Sequence, residues 1–96
     1  MCTIYLKNIL AETADLPQAG NIFYDKVMDA ESRSEKVIVN MENVTYLPSI
    51  FLNVSIGRII DDFGIQWVKD HLSFTRITKA QALRLSDYLS IYRTIQ

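Results

Sequence analysis

The chain has 96 residues, the usual length of one domain, and we predict a single domain over residues 1–96. Apolar residues make up 49% and charged residues 22% of it, which indicates a globular protein with a buried core rather than a disordered chain. The net charge of -1 gives no electrostatic reason to bind nucleic-acid phosphates, so nucleic acid is a poor candidate partner.

The cysteine and histidine content limits the location and the chemistry of the protein. Cys2 is the sole cysteine, so no internal disulfide can form, and we expect a reducing compartment, the cytoplasm. His71 is the sole histidine, and no cluster of residues has metal-ligand spacing, so we predict no metal site. The chain starts without a basic leader and lacks a run of roughly 20 apolar residues, so we expect neither export nor a membrane partner.

The first half of the chain predicts two strands and a helix. Thr3 to Leu10 is read as a first strand, because apolar residues alternate around the β-favouring Tyr5. A helix should begin at Asp15, with a proline in its first turn, and end at the charged segment 32–35. Its apolar residues fall at helical spacing: Ile22, Phe23, Val27 and Met28. Lys36 to Met41 contains an unbroken β-branched run, which indicates a central parallel strand covered on both faces: Val37, Ile38 and Val39.

The second half predicts two main helices around a third strand. Pro48 suits the first turn of a helix that Gly64 should end. Its apolar face has five members: Leu52, Ile56, Ile59, Ile60 and Phe63. One further helical turn around Trp67 precedes a strand near a sheet edge, in which polar residues alternate with Leu72, Phe74 and Ile77. Thr78 is the expected N-cap of the last helix, although no acidic residue at Gln81 completes a capping box.

The resulting order, β-α-β-α-β-α, predicts an α/β fold in which helices pack on a mostly parallel sheet. In such folds the functional loops gather beyond the carboxyl ends of the strands, so the loop from Glu42 to Ser49 is the leading candidate. The three glycines are too dispersed for a phosphate-binding loop, and we predict no cofactor and no catalytic activity.

The segment 37–49, Val-Ile-Val-Asn-Met-Glu-Asn-Val-Thr-Tyr-Leu-Pro-Ser, followed by Ile-Phe-Leu-Asn-Val-Ser-Ile-Gly, resembles the central part of a bacterial family, the STAS-like domains of unknown function. The likeness continues through Phe63 and Gly64 into the strand from Leu72 to Ile77, about two thirds of the chain. It implies a small STAS-like fold. The family is related to sulphate-transporter and anti-sigma-factor-antagonist domains, in which the strand-loop-helix junction docks an ATPase-fold kinase.

The resemblance also implies a modification site, since Ser49 lies where those antagonists carry a phosphorylated serine. A serine at a helix N-terminus is a physically sensible place for phosphate, because free amides and the positive end of the helix dipole lie nearby. The simpler interpretation is that Ser49 is a helix N-cap. Both interpretations stay open at this point.

The sequence therefore predicts a non-enzymatic protein-interaction and signalling module, with an ATPase-fold kinase or sensor as the implied partner. Six residues at the loop-helix junction form the predicted contact surface: Asn43, Thr45, Tyr46, Ser49, Phe51 and Asn53. The alternative is an assembly protein that forms a homo-oligomer through a sheet edge or the last helix. A nucleotide-binding or hydrolytic protein is a third possibility, which the lack of a nucleophile-base pair disfavours.

Overall fold

A computed structural model describes residues 2–45 and 47–95, with side chains described through residue 91. Its elements are β1 Cys2–Tyr5, α1 Leu6–Glu12, α2 Leu16–Ser32, β2 Val37–Asn40, α3 Ser49–Val54, α4 Ile56–Phe63, α5 Ile65–His71, β3 Leu72–Thr75 and α6 Lys79–Ile95. The three strands form one parallel sheet in the order β1-β2-β3, with helices in each crossover. The α/β class and the central place of β2 are confirmed.

The sheet has one covered face and one open face. Paired residues of parallel strands lie on the same face of the sheet. The register therefore places two rows of side chains on the face that the helices cover: Cys2, Val37 and Leu72 in one row, and Ile4, Val39 and Phe74 in the other. These side chains are buried or half-buried. On the opposite face, Ile38 and Asn40 are half-buried. The other side chains of that face are exposed: Thr3, Tyr5, Ser73 and Thr75. The expectation that β2 is covered on both faces is therefore wrong.

The first strand is shorter than predicted. It ends at Tyr5, and α1 occupies the remainder of the segment that we read as strand. Leu6 and Ile9 are both buried, and their spacing of three residues places them on one side of a helix. The apolar positions of this segment fit both the two-residue period of a strand and the 3.6-residue period of a helix. Leu6 and Ile9 would face opposite sides of a strand, so the burial of both indicates the helix.

Helix α2 begins and ends as the sequence predicts. The Asp15 carboxylate accepts a hydrogen bond from the Gln18 amide at 3.1 Å, which caps the helix N-terminus. Gly20 allows α2 to lie close to α3, since a β-carbon at this position would come within 2.1 Å of Val54 Cγ2. Any larger residue at position 20 would push the two helices apart.

The segment predicted as one helix from Pro48 to Gly64 is two helices. The chain bends at Ser55, whose φ of -113° and ψ of -88° separate α3 from α4. The buried Ser55 hydroxyl donates to the Phe51 carbonyl at 2.7 Å, so its polar atom is satisfied inside the core. Gly64, with φ of 93°, ends α4 as predicted, and α5 is longer than the single expected turn.

A surface cluster joins α2 to α4. The Tyr24 hydroxyl donates to Asp62 at 2.6 Å, and the Arg58 guanidinium lies 3.7 Å from the centre of the Tyr24 ring. The hydrogen bond to Asp62 raises the pKa of Tyr24, because deprotonation would place two negative charges side by side. These contacts hold the outer surfaces of the two helices together.

Helix α6 has the predicted N-cap and a fuller capping box than expected. The backbone amide of Gln81 donates to Thr78 Oγ1 at 3.1 Å, and the backbone amide of Thr78 donates to Gln81 Oε1 at 3.0 Å. Glutamine therefore supplies the second half of the box without an acidic group. In the part of the chain that the structure describes, α6 and the other helices all lack the length and apolar character needed to cross a membrane.

The unequal cover of the two sheet faces gives a test with adjacent residues. We expect Val39→Asp to lower the free energy of unfolding by about 3–5 kcal/mol, because it buries an unpaired charge in the core. Ile38→Asp lies on the open face and should lower it by about 1–2 kcal/mol. Denaturant unfolding of both variants measures the difference, and equal losses would contradict the assignment of the two faces.

Candidate functional site

The candidate site is the β2–α3 loop, residues 41–48, at the carboxyl end of the central strand. A turn opens the loop, with the Val44 amide donating to the Met41 carbonyl at 3.1 Å. The Asn40 side chain supports it by accepting from the Glu42 amide at 2.9 Å. Asn43 has a φ of 65°, a left-handed conformation that asparagine adopts more readily than most residues. Asn43 is consequently exposed at the turn.

Two side chains of α6 hold the loop backbone. Gln81 donates its side-chain amide to the Val44 carbonyl, and Gln81 is itself 5% exposed. Arg84 donates to the Leu47 carbonyl from Nε at 3.3 Å and from Nη2 at 3.1 Å. Both acceptors are backbone groups of residues that lie outside the described strands and helices, so α6 supplies hydrogen bonds of the kind that secondary structure supplies elsewhere.

Ser49 also contacts α6, and it is not the cap of α3. Pro48 occupies the N-cap position, Ser49 is the first helical residue, and the cap has no side-chain hydrogen bond. The Ser49 hydroxyl instead accepts from Arg84 Nη2 at 2.7 Å. The N-cap interpretation of Ser49 is therefore wrong, because proline precedes it and the hydroxyl lies toward α6.

The other predicted contact residues differ in where they lie. Asn43, Thr45, Ser49 and Asn53 are exposed. Asn53 accepts a hydrogen bond from the Tyr88 hydroxyl at 2.8 Å, which attaches α3 to α6 a second time. Tyr46 lies outside the described residues.

Phe51 is a core residue, which corrects its place in the predicted surface. Its side chain is 1% exposed, and its ring lies edge-on to Phe23 with 6.0 Å between ring centroids. Position 51 falls on the inner side of α3, next to the buried Leu52. A partner could not touch Phe51 without opening the core. Its neighbour Ile50, at 55% exposure, is an exposed apolar residue among the described residues of this junction.

Two clefts flank the loop, and Thr45 and Pro48 line both. The α1 cleft, about 340 Å³, lies between the loop and α1. Its lining residues are Lys7, Leu10, Ala11, Thr13, Ala14, Leu16, Asn43, Val44, Thr45 and Pro48. The α6 cleft, about 360 Å³, lies between the loop and the start of α6. Its lining residues are Thr45, Leu47, Pro48, Thr78, Ala80, Gln81 and Arg84.

The residues of α6 are the part of the site that the sequence did not reveal. Gln81, Arg84 and Tyr88 lie three and four residues apart, so they share one side of the helix with the buried Leu85. This spacing was visible in the sequence as a polar stripe beside an apolar one. The spacing does not identify the residues that this stripe contacts, because those residues are 35 to 37 positions away along the chain.

The aromatic residues of the second half divide between core and surface. Tyr88 is 7% exposed and belongs to the core. Trp67 is half-buried and stacks on Phe63 and on His71, with centroids 4.9 Å and 4.1 Å apart. The His71 Nδ1 atom lies 2.9 Å from the Trp67 carbonyl oxygen, so the imidazole has a structural contact within α5. The side chain of Tyr92 lies outside the described residues.

One family model matches the part of the chain that contains this loop. The model of the STAS-like domain of unknown function (DUF4325) matches residues 19–82. The chain belongs to this family. The match covers about two thirds of the chain and includes the whole candidate loop. No curated protein and no solved structure matches the chain.

The extent of the match refines the resemblance seen in the sequence. That resemblance started at the central strand, whereas the STAS-like model starts within α2, at Ala19. It ends at Ala82, in the second turn of α6, and so includes Gln81 but not Arg84 or Tyr88. Arg84 and Tyr88, which contact the loop and α3, therefore lie beyond the matched segment.

The attachment of the loop can be tested at Gln81. We expect Gln81→Ala to lower the free energy of unfolding by about 1–3 kcal/mol, because it leaves the buried Val44 carbonyl without its donor and removes half of the capping box. Ser86→Ala, an exposed change on the same helix, is the matched control and should have almost no effect. Denaturant unfolding reports both. A loss at Gln81 no larger than the control would show that this contact does not hold the loop.

Proposed function

We propose that this STAS-like domain is a non-enzymatic protein-interaction and signalling module that binds its partner through the β2–α3 loop and the start of α3. The main support is that the loop has exposed side chains while hydrogen bonds from Gln81 and Arg84 of α6 fix its backbone. A preorganised loop loses less conformational freedom on binding than a mobile one. Polar Asn43, Thr45 and Ser49 beside the exposed apolar Ile50 make a mixture typical of recognition surfaces.

The class of partner is inferred from the relationship to STAS domains. An ATPase-fold kinase or sensor is the implied partner, and Ser49 is the implied site of phosphorylation. Ser49 is an exposed residue, which a kinase requires, and its hydroxyl lies 2.7 Å from Arg84 Nη2. A phosphate on Ser49 would form a charge-assisted pair with this guanidinium, so we infer that the modified domain stays folded.

Substitutions at Ser49 separate a switch from a structural contact. Ser49→Ala removes one hydrogen bond to Arg84 and should cost about 1 kcal/mol of stability while leaving partner binding nearly unchanged. Ser49→Asp places a carboxylate beside Arg84, keeps the fold and should weaken partner binding at least about tenfold, because the charge would lie inside the contact.

Isothermal titration of the partner captured from native cells measures both affinities, after circular dichroism has shown that both variants are folded. The native protein is the reference. Equal affinities for Ser49→Ala and Ser49→Asp would remove the switch from the proposal, and failure of the native loop to bind any partner would remove the module.

A second candidate function, assembly into a homo-oligomer, is favoured by the open edge of β1. The Cys2 amide donates to the Lys36 carbonyl at 2.9 Å, so it points toward β2. Since successive residues of a strand point their amides to opposite sides, the Thr3 amide points to the free edge. The exposed edge carries neither charge nor proline in Cys2–Tyr5, the devices that commonly prevent pairing between edges.

Thr3→Pro tests assembly without disturbing the sheet. Proline removes the outward amide, and it is tolerated on an edge strand where that amide faces solvent. If β1 edges pair, Thr3→Pro should shift the protein from dimer to monomer, while Thr3→Val, which keeps the amide, should remain dimeric. Sedimentation velocity at several concentrations measures the mass. A native protein that sediments as a monomer throughout would exclude this alternative.

A further inference from the structure

The lining of the α6 cleft includes the charged side chain of Arg84. Arg84 is half-buried, and its three hydrogen bonds all go to uncharged oxygens, two to the Leu47 carbonyl and one to the Ser49 hydroxyl. Among the ion pairs formed by the described side chains, none includes Arg84. These hydrogen bonds compensate for part of the lost hydration, whereas the positive charge of the guanidinium stays available to pair with an anion. Arg84 therefore brings to the lining of the cleft a positive charge that no described carboxylate pairs with.

We propose that the α6 cleft binds an aspartate or glutamate side chain from an acidic segment of a protein partner, with Arg84 as its counter-ion. This inference deepens the proposed function and rests on it, because it names the chemistry that the partner would bring to the same loop. It also identifies Arg84 as a binding residue rather than solely a support for the loop.

The hydrogen bonding of Arg84 leaves donors for such a ligand. The bonds to Leu47 and Ser49 use Nε and Nη2, whereas the described side chains and backbone take no hydrogen bond from Nη1. A guanidinium has five N–H groups, two of them on Nη1. The fixed position of Nε and Nη2 therefore holds the guanidinium plane in place while Nη1 can donate to a carboxylate.

The shape and lining of the cleft suit a side chain on a peptide. Its volume is about 360 Å³, enough for a few residues of an extended segment. Leu47, Pro48 and Ala80 give apolar walls for the methylene groups of an acidic side chain, and the Thr45 hydroxyl adds a polar group. The ligand would thus meet both the loop and α6 at once.

The charge around the cleft favours an acidic partner. The described lining residues of the α6 cleft include Arg84 and no carboxylate, and Lys79 lies in the chain between the lining residues Thr78 and Ala80. The whole chain has a net charge of -1, so this positive region differs in sign from the molecule. Local potentials of this kind attract and orient oppositely charged partners.

The test is a titration of the ¹⁵N-labelled chain, followed by NMR, with the blocked peptide acetyl-Ala-Asp-Ala-amide. The matched probe is acetyl-Ala-Asn-Ala-amide, which has the same shape without the charge. We expect saturable shifts of the Arg84 Nε–H and of the Thr45 and Gln81 amides with the aspartate peptide, and an affinity about tenfold weaker for the asparagine peptide. This comparison needs no variant, so it remains informative even if substitutions at Arg84 impair folding.

Variants then locate the effect. Arg84→Gln should abolish the difference between the two peptides, Arg84→Lys should retain part of it, and Lys79→Gln should leave most of it. Equal binding of both peptides by the native chain, or shifts confined to other regions, would overturn the proposal. Inorganic phosphate at matched ionic strength is the third probe, and binding about tenfold tighter than the aspartate peptide would replace the acidic segment by a phosphate ligand.

The outcome is separable from that of the proposed function. A loop that captures a partner but shows no preference for the aspartate peptide would retain the interaction module and refute the acidic ligand. A preference for the aspartate peptide in a chain that captures no partner would retain the anion site and refute the module.

Discussion

The hydrogen bonds from α6 to the Val44 and Leu47 carbonyls are the interaction on which this end of the molecule depends. The loop that contains these carbonyls leaves the central strand and enters α3 without a regular ladder of its own. Exposed loops of this kind are usually mobile. Here Gln81 and Arg84 replace the missing ladder, and the capping box fixes Gln81 itself at the beginning of its helix. The position of α6 therefore determines the shape of the loop.

This dependence gives α6 a role in any function of the loop. Ser49 and Asn53 both hydrogen-bond to α6, through Arg84 and Tyr88. A change in charge at Ser49 would act first on Arg84, the same residue that holds Leu47. A modification at the surface could consequently alter the loop backbone without reaching the core. Coupling over such a short path needs no large movement, only an exchange of partners around one guanidinium.

The sequence predicted the elements that its local patterns determine. Val37 and Val39 lie in a β-branched run, and Asp15 and Thr78 precede helical patterns as caps, so β2, α2 and α6 follow from short-range preferences. The error at β1 arose because Leu6 fits both an alternating and a helical spacing. The bend at Ser55 was missed because the apolar face runs across it without a change of period.

The site was harder to predict because its contacts are long-range. The proline before Ser49 is a local sign that the serine is not the N-cap. The hydrogen-bond partner of Ser49, however, is Arg84, which lies 35 residues away along the chain. The same spacing hides the pairing of Asn53 with Tyr88. For Phe51 the local pattern was ambiguous, since α3 has six residues and too few turns to define a buried side. Packing against Phe23 decides it.

The open face of the sheet also depends on residues that are distant in the sequence, namely those paired with β2 in the two edge strands. Ile38 belongs to a run that looks equally apolar on both sides, yet its neighbours across the ladder are Thr3 and Ser73, both exposed. A single apolar residue between two polar ones does not create a face that a helix would cover. The helices gather instead over the row that contains Val39, where Ile4 and Phe74 extend the apolar surface across all three strands. The composition of the two edge strands, rather than that of the central one, therefore decides that the sheet is covered on one face only.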